Sequence, residues 1–138
     1  MIGEGDPYST GGAKAFEEAA EEKQIDVCTK SRYRSGSGDM KAAIEGIMNK
    51  RCCRVNVVFA QAKDLTSLFL EAHKQRYAGE WVVGESIVGA LDGIVTDLRR
   101  HLAEPSVHEL LRGMHEFTLE DVEVLATQPC KCRRIDTH

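Results

Sequence analysis

Apolar residues recur along this chain at intervals of three and four, which is the spacing of a helix face buried against a core. The pattern predicts four helices, over residues 12–23, 40–48, 65–77 and 87–102, the last of them ended by Pro105. Asp39 stands directly before the second helix. It is the predicted N-cap, because its carboxylate can accept hydrogen bonds from the exposed amides of the first turn.

Shorter apolar runs, rich in β-branched side chains, predict strands. Residues 54–60 and 81–83 are almost continuously apolar, which is typical of strands covered on both faces in a parallel sheet. Residues 25–29 alternate apolar and polar side chains and predict a further short strand. Residues 110–117 fit an extended stretch better than a helix.

Helices and buried strands alternate with short connections, so the predicted fold is α/β, a three-layer sandwich with a mostly parallel sheet. Residues 1–12 and 33–38 are rich in small and polar side chains and predict loops. Residues 1–5 are too short and Gly-rich to supply a strand before the first helix, so we expect an incomplete sheet without its opening strand. Ligands of such sheets bind in the loops that follow the strands, here at residues 30–38, 61–64 and 84–87.

The composition is that of an ordinary globular domain and excludes several classes of protein. The 138 residues make about one domain, and 18 basic against 22 acidic side chains give a net charge of −4. A nucleic-acid partner is not expected, because only the short tail at residues 131–134 is basic. No apolar run approaches the roughly 20 residues of a membrane-spanning helix, and the N-terminus lacks the features of a secretion signal.

The cysteines and histidines form no metal-binding pattern. The five cysteines include Cys52-Cys53 and Cys130-Lys131-Cys132, which are not the paired Cys-x-x-Cys motifs of zinc sites. Their odd number fits either a reducing compartment or a fragment separated from its disulfide partners. Cys28 and Cys53 lie in or beside predicted strands and are expected to act as small hydrophobic residues. We therefore expect neither a metal nor a cofactor.

Few residues stand out as candidates for function. Nucleophile elbows, Walker loops and zinc-protease helices are missing from the sequence, so no catalytic residue is predicted. Glu85 and Ser86 close the third predicted strand, where ligand contacts are expected, although a carboxylate there also suits a helix cap. Tyr8 lies in a Gly/Pro/Ser loop, where an exposed ring can stack on a ligand. Trp81 begins a buried strand and is predicted to belong to the core.

An ordered series of segments between residues 4 and 118 carries a family resemblance. They lie at residues 4–12, 15–20, 25–27, 33–39, 44–47, 54–60, 64–65, 70–72, 79–86 and 110–118. Their order and sequence resemble the second lobe of type I periplasmic-binding-protein-like domains. Class C G-protein-coupled receptors, natriuretic-peptide receptors and bacterial branched-chain amino-acid binding proteins share this ligand-binding region, and metabotropic-glutamate-type receptors look closest.

The resemblance implies a ligand site at Tyr8, Glu85 and Ser86. The family packs the aromatic residue of an Asn/Pro-Tyr-Gly turn on the ligand, and Tyr8 matches that position. An acidic residue at a strand end contacts an ammonium group in the family, and Glu85 falls near it with Ser86 adjacent. The chain departs from the family at Ser9, where a glycine is usual, and at Ile87-Val88, near the position of a family tryptophan.

The resemblance also implies a function, partners and a location. Two lobes of the family close on a small ligand, so the chain is expected to be the amino-acid-binding lobe of a receptor, outside a membrane, and not an enzyme. Residues 1–118 would form a partial second lobe, a fragment, and residues 119–138 an irregular tail. Its partners would be an amino-acid-like ligand, the missing first lobe, and a second subunit in a receptor homodimer.

Three other functions stay open at this point. The first is the solute-binding protein of an ABC transporter, a class of protein that the same family resemblance includes. A small flavodoxin-like nucleotide-binding or enzymatic domain would need a phosphate-binding glycine loop after its first strand, whereas Gly11-Gly12 has no predicted strand before it. An interaction domain would use an exposed sheet edge or the histidine-bearing C-terminal segment.

Overall fold

The computed structural model of the chain describes residues 2–50, 55–84 and 89–116. Within these ranges, strands and helices alternate as predicted, and the α/β class is confirmed. The strands are β1 (Ile2–Glu4), β2 (Arg32–Arg34), β3 (Val55–Val58), β4 (Glu80–Val83) and β5 (Met114–Glu116). The helices are α1 (Pro7–Glu22), α2 (Lys41–Met48), α3 (Ala62–Lys74), α4 (Leu91–His101) and α5 (Glu104–Arg112).

The described strands pair in parallel, in two short sheets. One sheet contains β1 and β2, and the other has the order β3-β4-β5. A bridge between Ile2 and Phe59 joins them, and the Gly3 amide donates to the Phe59 carbonyl at 3.1 Å. Taken together, the strands follow the order β2-β1-β3-β4-β5, which fits an incomplete Rossmann-like lobe.

The helices lie on both faces of these strands. Right-handed crossovers place α1 on one face and the other helices on the opposite face. The packing agrees, because α1 contacts β1, whereas α2 contacts α3, α3 contacts α4, and α4 contacts α5. In the core of the second face, the fully buried rings of Phe69 and Trp81 meet edge to face at 5.6 Å. The prediction that Trp81 belongs to the core is therefore confirmed.

The prediction that the sheet lacks an opening strand was wrong, because Ile2–Glu4 forms β1. This three-residue strand lies between β2 and the residue that follows β3, so hydrogen bonds on both sides hold it in place. Gly3 suits the position, since a Cβ there would lie 2.8 Å from Tyr33 Oη. A strand this short shows no measurable hydrophobic period, and the sequence pattern missed it for that reason.

Helix α1 begins five residues earlier than the predicted start at residue 12. Asp6 is its N-cap, and Pro7 occupies the first turn, where a missing amide hydrogen costs nothing. Gly11 and Gly12 are therefore helical and not part of a loop. Gly12 makes room for an aromatic neighbour, because a Cβ there would lie 2.7 Å from Cδ1 of Phe59. Of the two glycines that predicted a loop, Gly12 thus serves close packing inside the helix.

The second strand forms later in the chain than predicted. Residues 25–31, all of them described, contain no strand, and Val27 is 43% exposed. Strand β2 occupies Arg32–Arg34, at the start of the predicted loop over residues 33–38. Tyr33 is its one buried side chain, between two exposed arginines. A single buried residue gives too weak a pattern to identify a strand.

The expected extended stretch at residues 110–117 is partly helical. Helix α5 runs over Glu104–Arg112, with Pro105 in its first turn and Val107 and Leu110 buried three residues apart. Strand β5 follows after Gly113. The proline thus starts α5 as well as ending the helix before it. The predicted tail at residues 119–138 lies outside the described residues, as do residues 87–88 of the predicted fourth helix.

The other elements lie where the pattern predicts them, with shifted ends. Helix α2 has Met40, not Asp39, as its N-cap, so that prediction was wrong by one residue. The Asp39 carboxylate nevertheless accepts a hydrogen bond from the Lys41 amide at 3.3 Å. Strands β3 and β4 and helix α3 match the predicted buried runs and the predicted helical stripe.

Candidate functional site

The strand order creates a crevice at the carboxyl ends of the strands. Across the sheet, the chain steps from β1 to β2 toward one edge and from β2 to β3 toward the other edge. The strand order therefore reverses between β1 and β3. Ligands of parallel α/β sheets bind at such a reversal, outside the carboxyl ends of the strands. We call this edge the carboxyl rim; it is formed by residues 5–8, 34–38, 59–62 and 84.

Asp6 fixes the part of the rim that follows β1. Its buried carboxylate accepts hydrogen bonds from the Tyr8 amide at 3.2 Å and from the Ser9 hydroxyl at 2.6 Å. The hydrogen bond from Ser9 is the main reason that the pKa of Asp6 lies below its ordinary value; Gln61 and the amides of residues 8 and 9 also lower the pKa, and burial opposes them. The negative charge at the start of α1 disfavours a phosphate there, because helix N-termini otherwise attract anions.

Tyr8 reaches from this first turn of α1 to the end of β4. Its side chain is 54% exposed, which is unusual for a large aromatic residue. A Cβ on Gly84, the residue after β4, would lie 3.0 Å from Tyr8 Oη. The structure therefore brings Tyr8 to the strand end that the sequence marked as ligand-facing. Glu85 and Ser86, the other two predicted site residues, lie outside the described residues.

Asp64 fixes the part of the rim that follows β2. It lies in the first turn of α3, is 2% exposed, and accepts hydrogen bonds from the Ser35 hydroxyl at 2.8 Å and the Gly36 amide at 2.9 Å. These bonds tie the loop over residues 35–38 to α3. The contact between Asp64 and residues 35 and 36 was not predicted from the sequence. The available signal was an acidic residue in the first turn of a helix that follows a buried strand.

Tyr33 lies beneath the rim, near both of these carboxylates. Its hydroxyl is buried and finds no hydrogen-bond partner among the described residues. Burial is the main cause that raises the pKa of Tyr33, and the charges of Asp64 and Asp6 raise it further. The phenol is therefore neutral at physiological pH. The sequence pattern did not indicate this position, because Tyr33 was predicted to lie in a flexible loop.

The described residues contain no group of three histidine, cysteine, aspartate or glutamate side chains that could hold a metal ion. Cys28 is disulfide-bonded and exposed, so the expectation that it acts as a small buried hydrophobic residue was wrong. In the part of the chain that the structure covers, none of the helices is long and apolar enough to cross a membrane.

The arrangement at the carboxyl rim suits binding more than catalysis. It presents an exposed aromatic ring at the end of β4 and two buried carboxylates whose hydrogen bonds hold the segments after β1 and β2. Ser9 donates to Asp6, but it is fully buried and so out of reach of a substrate. An aromatic ring at the mouth of a crevice gives a ligand apolar surface, and backbone and hydroxyl groups around it give orientation.

Comparison with known families gives a match over almost the whole chain. The model of a family described as "receptor family ligand binding region" matches residues 1–136. Comparisons with curated proteins and with solved structures find no match.

Proposed function

Since the chain belongs to the receptor family ligand binding region, a type I periplasmic-binding-protein-like domain, we propose that it binds a small amino-acid-like ligand at its carboxyl rim. The observation that carries this proposal is the position of Tyr8, with its hydroxyl beside Gly84 at the end of β4. The exposed ring covers the crevice where parallel α/β sheets bind ligands. More than half of the Tyr8 side chain is exposed and can contact a ligand.

The charges of the rim fit a ligand that carries both an ammonium group and a carboxylate. Asp6 and Asp64 place two carboxylates beneath the rim, and Arg34 adds an exposed cation at the end of β2. Glu85 follows Gly84 directly in the chain and would add a third acidic group beside Tyr8. In this proposal Glu85 pairs with the ligand's ammonium group, and Ser86 donates a hydrogen bond to it.

We further propose that the site works as one wall of a closing cleft. Residues 1–118 would form the second of two lobes, with residues 119–138 as a tail, and a first lobe would bind the ligand's carboxylate. The closed arrangement of the two lobes would make more contacts with the ligand than the open one. Ligand binding would therefore favour closure, and that movement would carry the signal. A homodimer of receptors would carry that movement across a membrane.

The disulfide bond of Cys28 supports a location outside the cell. Disulfide bonds persist mainly in oxidising compartments, such as the extracellular space or a periplasm. An exposed disulfide in the cytosol would be open to reduction. The same observation is compatible with a periplasmic solute-binding protein, which remains the second candidate within the family.

A nucleotide-binding or enzymatic role is less well supported. The strand order β2-β1-β3-β4-β5 is also that of flavodoxin-like domains. A strand also precedes α1, although the sequence pattern predicted none there. However, Gly11 and Gly12 lie inside the helix, and the Asp6 carboxylate already accepts the Tyr8 amide. A phosphate at this turn would meet a negative charge instead of free amides.

Calorimetric titration of the chain with amino acids and with ATP tests the proposal. We expect at least one amino acid whose binding Tyr8→Ala weakens at least tenfold, because the ring supplies the apolar contact. Val27→Ala is the matched control, since Val27 is, within residues 2–50, 55–84 and 89–116, the other exposed large hydrophobic side chain and lies away from the rim. Tighter binding of ATP than of every amino acid would contradict the proposal.

A further inference from the structure

A second concave surface lies at the opposite end of the strands from the carboxyl rim. It is a cleft of about 240 Å³ at the start of β4, lined by His73, Arg76, Tyr77, Ala78, Gly79, Trp81, Ser106, Glu109 and Leu110. Because β4 runs from this cleft toward Gly84, the two surfaces are separated by the length of the strand, roughly 13 Å. We call it the amino-end cleft.

Charged groups of opposite sign stand on two walls of the amino-end cleft. The Arg76 cation comes from the turn after α3 and the Glu109 anion from α5, and the imidazole of His73, near the end of α3, lines the same cleft. All three side chains are exposed. Within the described part of the chain, neither Arg76 nor Glu109 forms an ion pair, with the other or with a third residue. Arg99, Arg100 and Lys30 do have acidic partners there. Across the cleft, the Arg76 cation and the Glu109 anion could therefore each form an ion pair with a ligand.

The floor of the amino-end cleft is apolar and held in place by tight backbone packing. Trp81 and Tyr77 meet edge to face at 5.6 Å, and the Tyr77 hydroxyl accepts a hydrogen bond from the Asn56 amide at 2.7 Å. A Cβ on Gly79 would lie 2.7 Å from that hydroxyl. A Cβ on Gly113 would lie 2.8 Å from the Gly79 carbonyl. A floor fixed in this way needs little ordering when a ligand arrives, which favours binding.

The charges and the size together restrict the ligand. A volume of about 240 Å³ is below the range of pockets that hold drug-sized molecules, roughly 300–1,000 Å³, so the ligand must be small. A carboxylate fits the guanidinium of Arg76, which can bind it with two parallel hydrogen bonds, and an ammonium group fits Glu109. The aromatic and aliphatic floor between them suits an apolar side chain.

We propose that the amino-end cleft binds a free zwitterionic amino acid with an apolar side chain. Arg76 and His73 hold its carboxylate, Glu109 holds its ammonium group, and Tyr77 and Leu110 contact its side chain. This site is separate from the one at the carboxyl rim and does not depend on it. The chain would thus carry two small-ligand sites, one at each end of β4.

The single tryptophan of the chain gives a direct readout of this site. Trp81 lines the amino-end cleft, so its fluorescence and its one indole N–H resonance report on the cleft and not on the carboxyl rim. Titration with L-leucine should shift both signals in a saturable way. Isoamylamine lacks the carboxylate and 4-methylpentanoate lacks the ammonium group, and each should bind at least tenfold more weakly than leucine.

Variants separate the two sites. Arg76→Gln and Glu109→Gln should each weaken the leucine response of Trp81 at least tenfold, whereas Arg100→Gln, an exposed arginine on α4, should leave it unchanged. Tyr8→Ala should also leave it unchanged, because Tyr8 lies at the other end of β4. The proposal is overturned if leucine does not perturb Trp81, if 4-methylpentanoate binds as tightly as leucine, or if Tyr8→Ala alone removes the response.

Discussion

Two adjacent glycines in α1 have opposite surroundings, although the sequence gives no way to distinguish them. Gly11 is exposed, and a Cβ there would meet nothing within 4 Å. A Cβ on Gly12 would collide with the ring of Phe59, which itself lies 5.9 Å from the ring of Phe16. The same substitution at the two positions should therefore have opposite effects.

We expect Gly11→Ala to raise the free energy of unfolding by about 0.5–1 kcal/mol, because alanine loses less backbone entropy in a helix. Gly12→Ala should lower it by about 1–3 kcal/mol, since the ring must move out of a packed position. Urea unfolding of both variants measures the difference. Equal effects at the two positions would contradict the close packing of Phe59 against Gly12.

The hydrogen bond between Ser9 and Asp6 makes the stability of the chain depend on pH in the acid range. The folded state lowers the pKa of Asp6 below its ordinary value of 3.8. The stabilisation is therefore complete above that value and is lost as the pH falls through the lowered pKa. Removing the Ser9 hydroxyl would remove the largest cause of the lowered Asp6 pKa.

Ser9→Ala should raise the pKa of Asp6 toward 3.8 and move acid unfolding to higher pH. Carbon-detected NMR titration of the Asp6 carboxyl group follows the first effect, and circular dichroism against pH follows the second. Ser37→Ala is the control, because Ser37 is exposed and its hydroxyl donates only to the Arg34 carbonyl. An Asp6 pKa that is the same in Ser9→Ala and wild type would refute the assignment.

Elements whose buried side chains follow one another or repeat at helical spacing could be predicted from the sequence, and three-residue strands could not. Strands β3 and β4 were found because β-branched residues follow one another there, and α3 because Leu65, Leu68, Phe69 and Ala72 repeat at helical spacing. Strands β1 and β2 have three residues each, and their stability comes from neighbours distant in sequence. Pairing of that kind leaves no local pattern.

The loop after β2 depends on one side chain of another element. Asp64 accepts two hydrogen bonds from residues 35 and 36, and its own burial makes those bonds costly to lose. The loop contains Gly36 and Gly38 at φ values of 80° and 69°, which favour glycine. The Asp64 carboxylate therefore stabilises one of the many conformations that residues 35–38 could adopt.

Asp64→Ala should destabilise the chain by about 1–3 kcal/mol and speed hydrogen exchange of the Gly36 amide, because the half-buried Ser35 hydroxyl and that amide lose their acceptor. Asp92→Ala is the matched control: Asp92 is also in the first turn of a helix, but is exposed, so its effect should be smaller. Unchanged exchange at Gly36 in Asp64→Ala would contradict this role.

For the molecule as a whole, the family was predictable and the site only partly so. The resemblance rested on an ordered series of short segments, and the family match over residues 1–136 bears it out. Tyr8 was predicted in a loop and instead lies in the first turn of α1, after a strand that was not predicted; only the expected exposure of its ring is confirmed. Asp6, Asp64 and Tyr33 could not be grouped beforehand, since contacts across three elements bring them together.

The central claim is that the carboxyl rim between Tyr8 and Gly84 binds amino acids. The most direct measurement is an amide chemical-shift map of the chain during titration with a mixture of amino acids and, separately, with ATP. The account predicts that amino acids shift the amides of Tyr8 and Gly84 together and that Tyr8→Ala abolishes the shift at Gly84. Shifts at these two amides with ATP alone, or none with any amino acid, would contradict it.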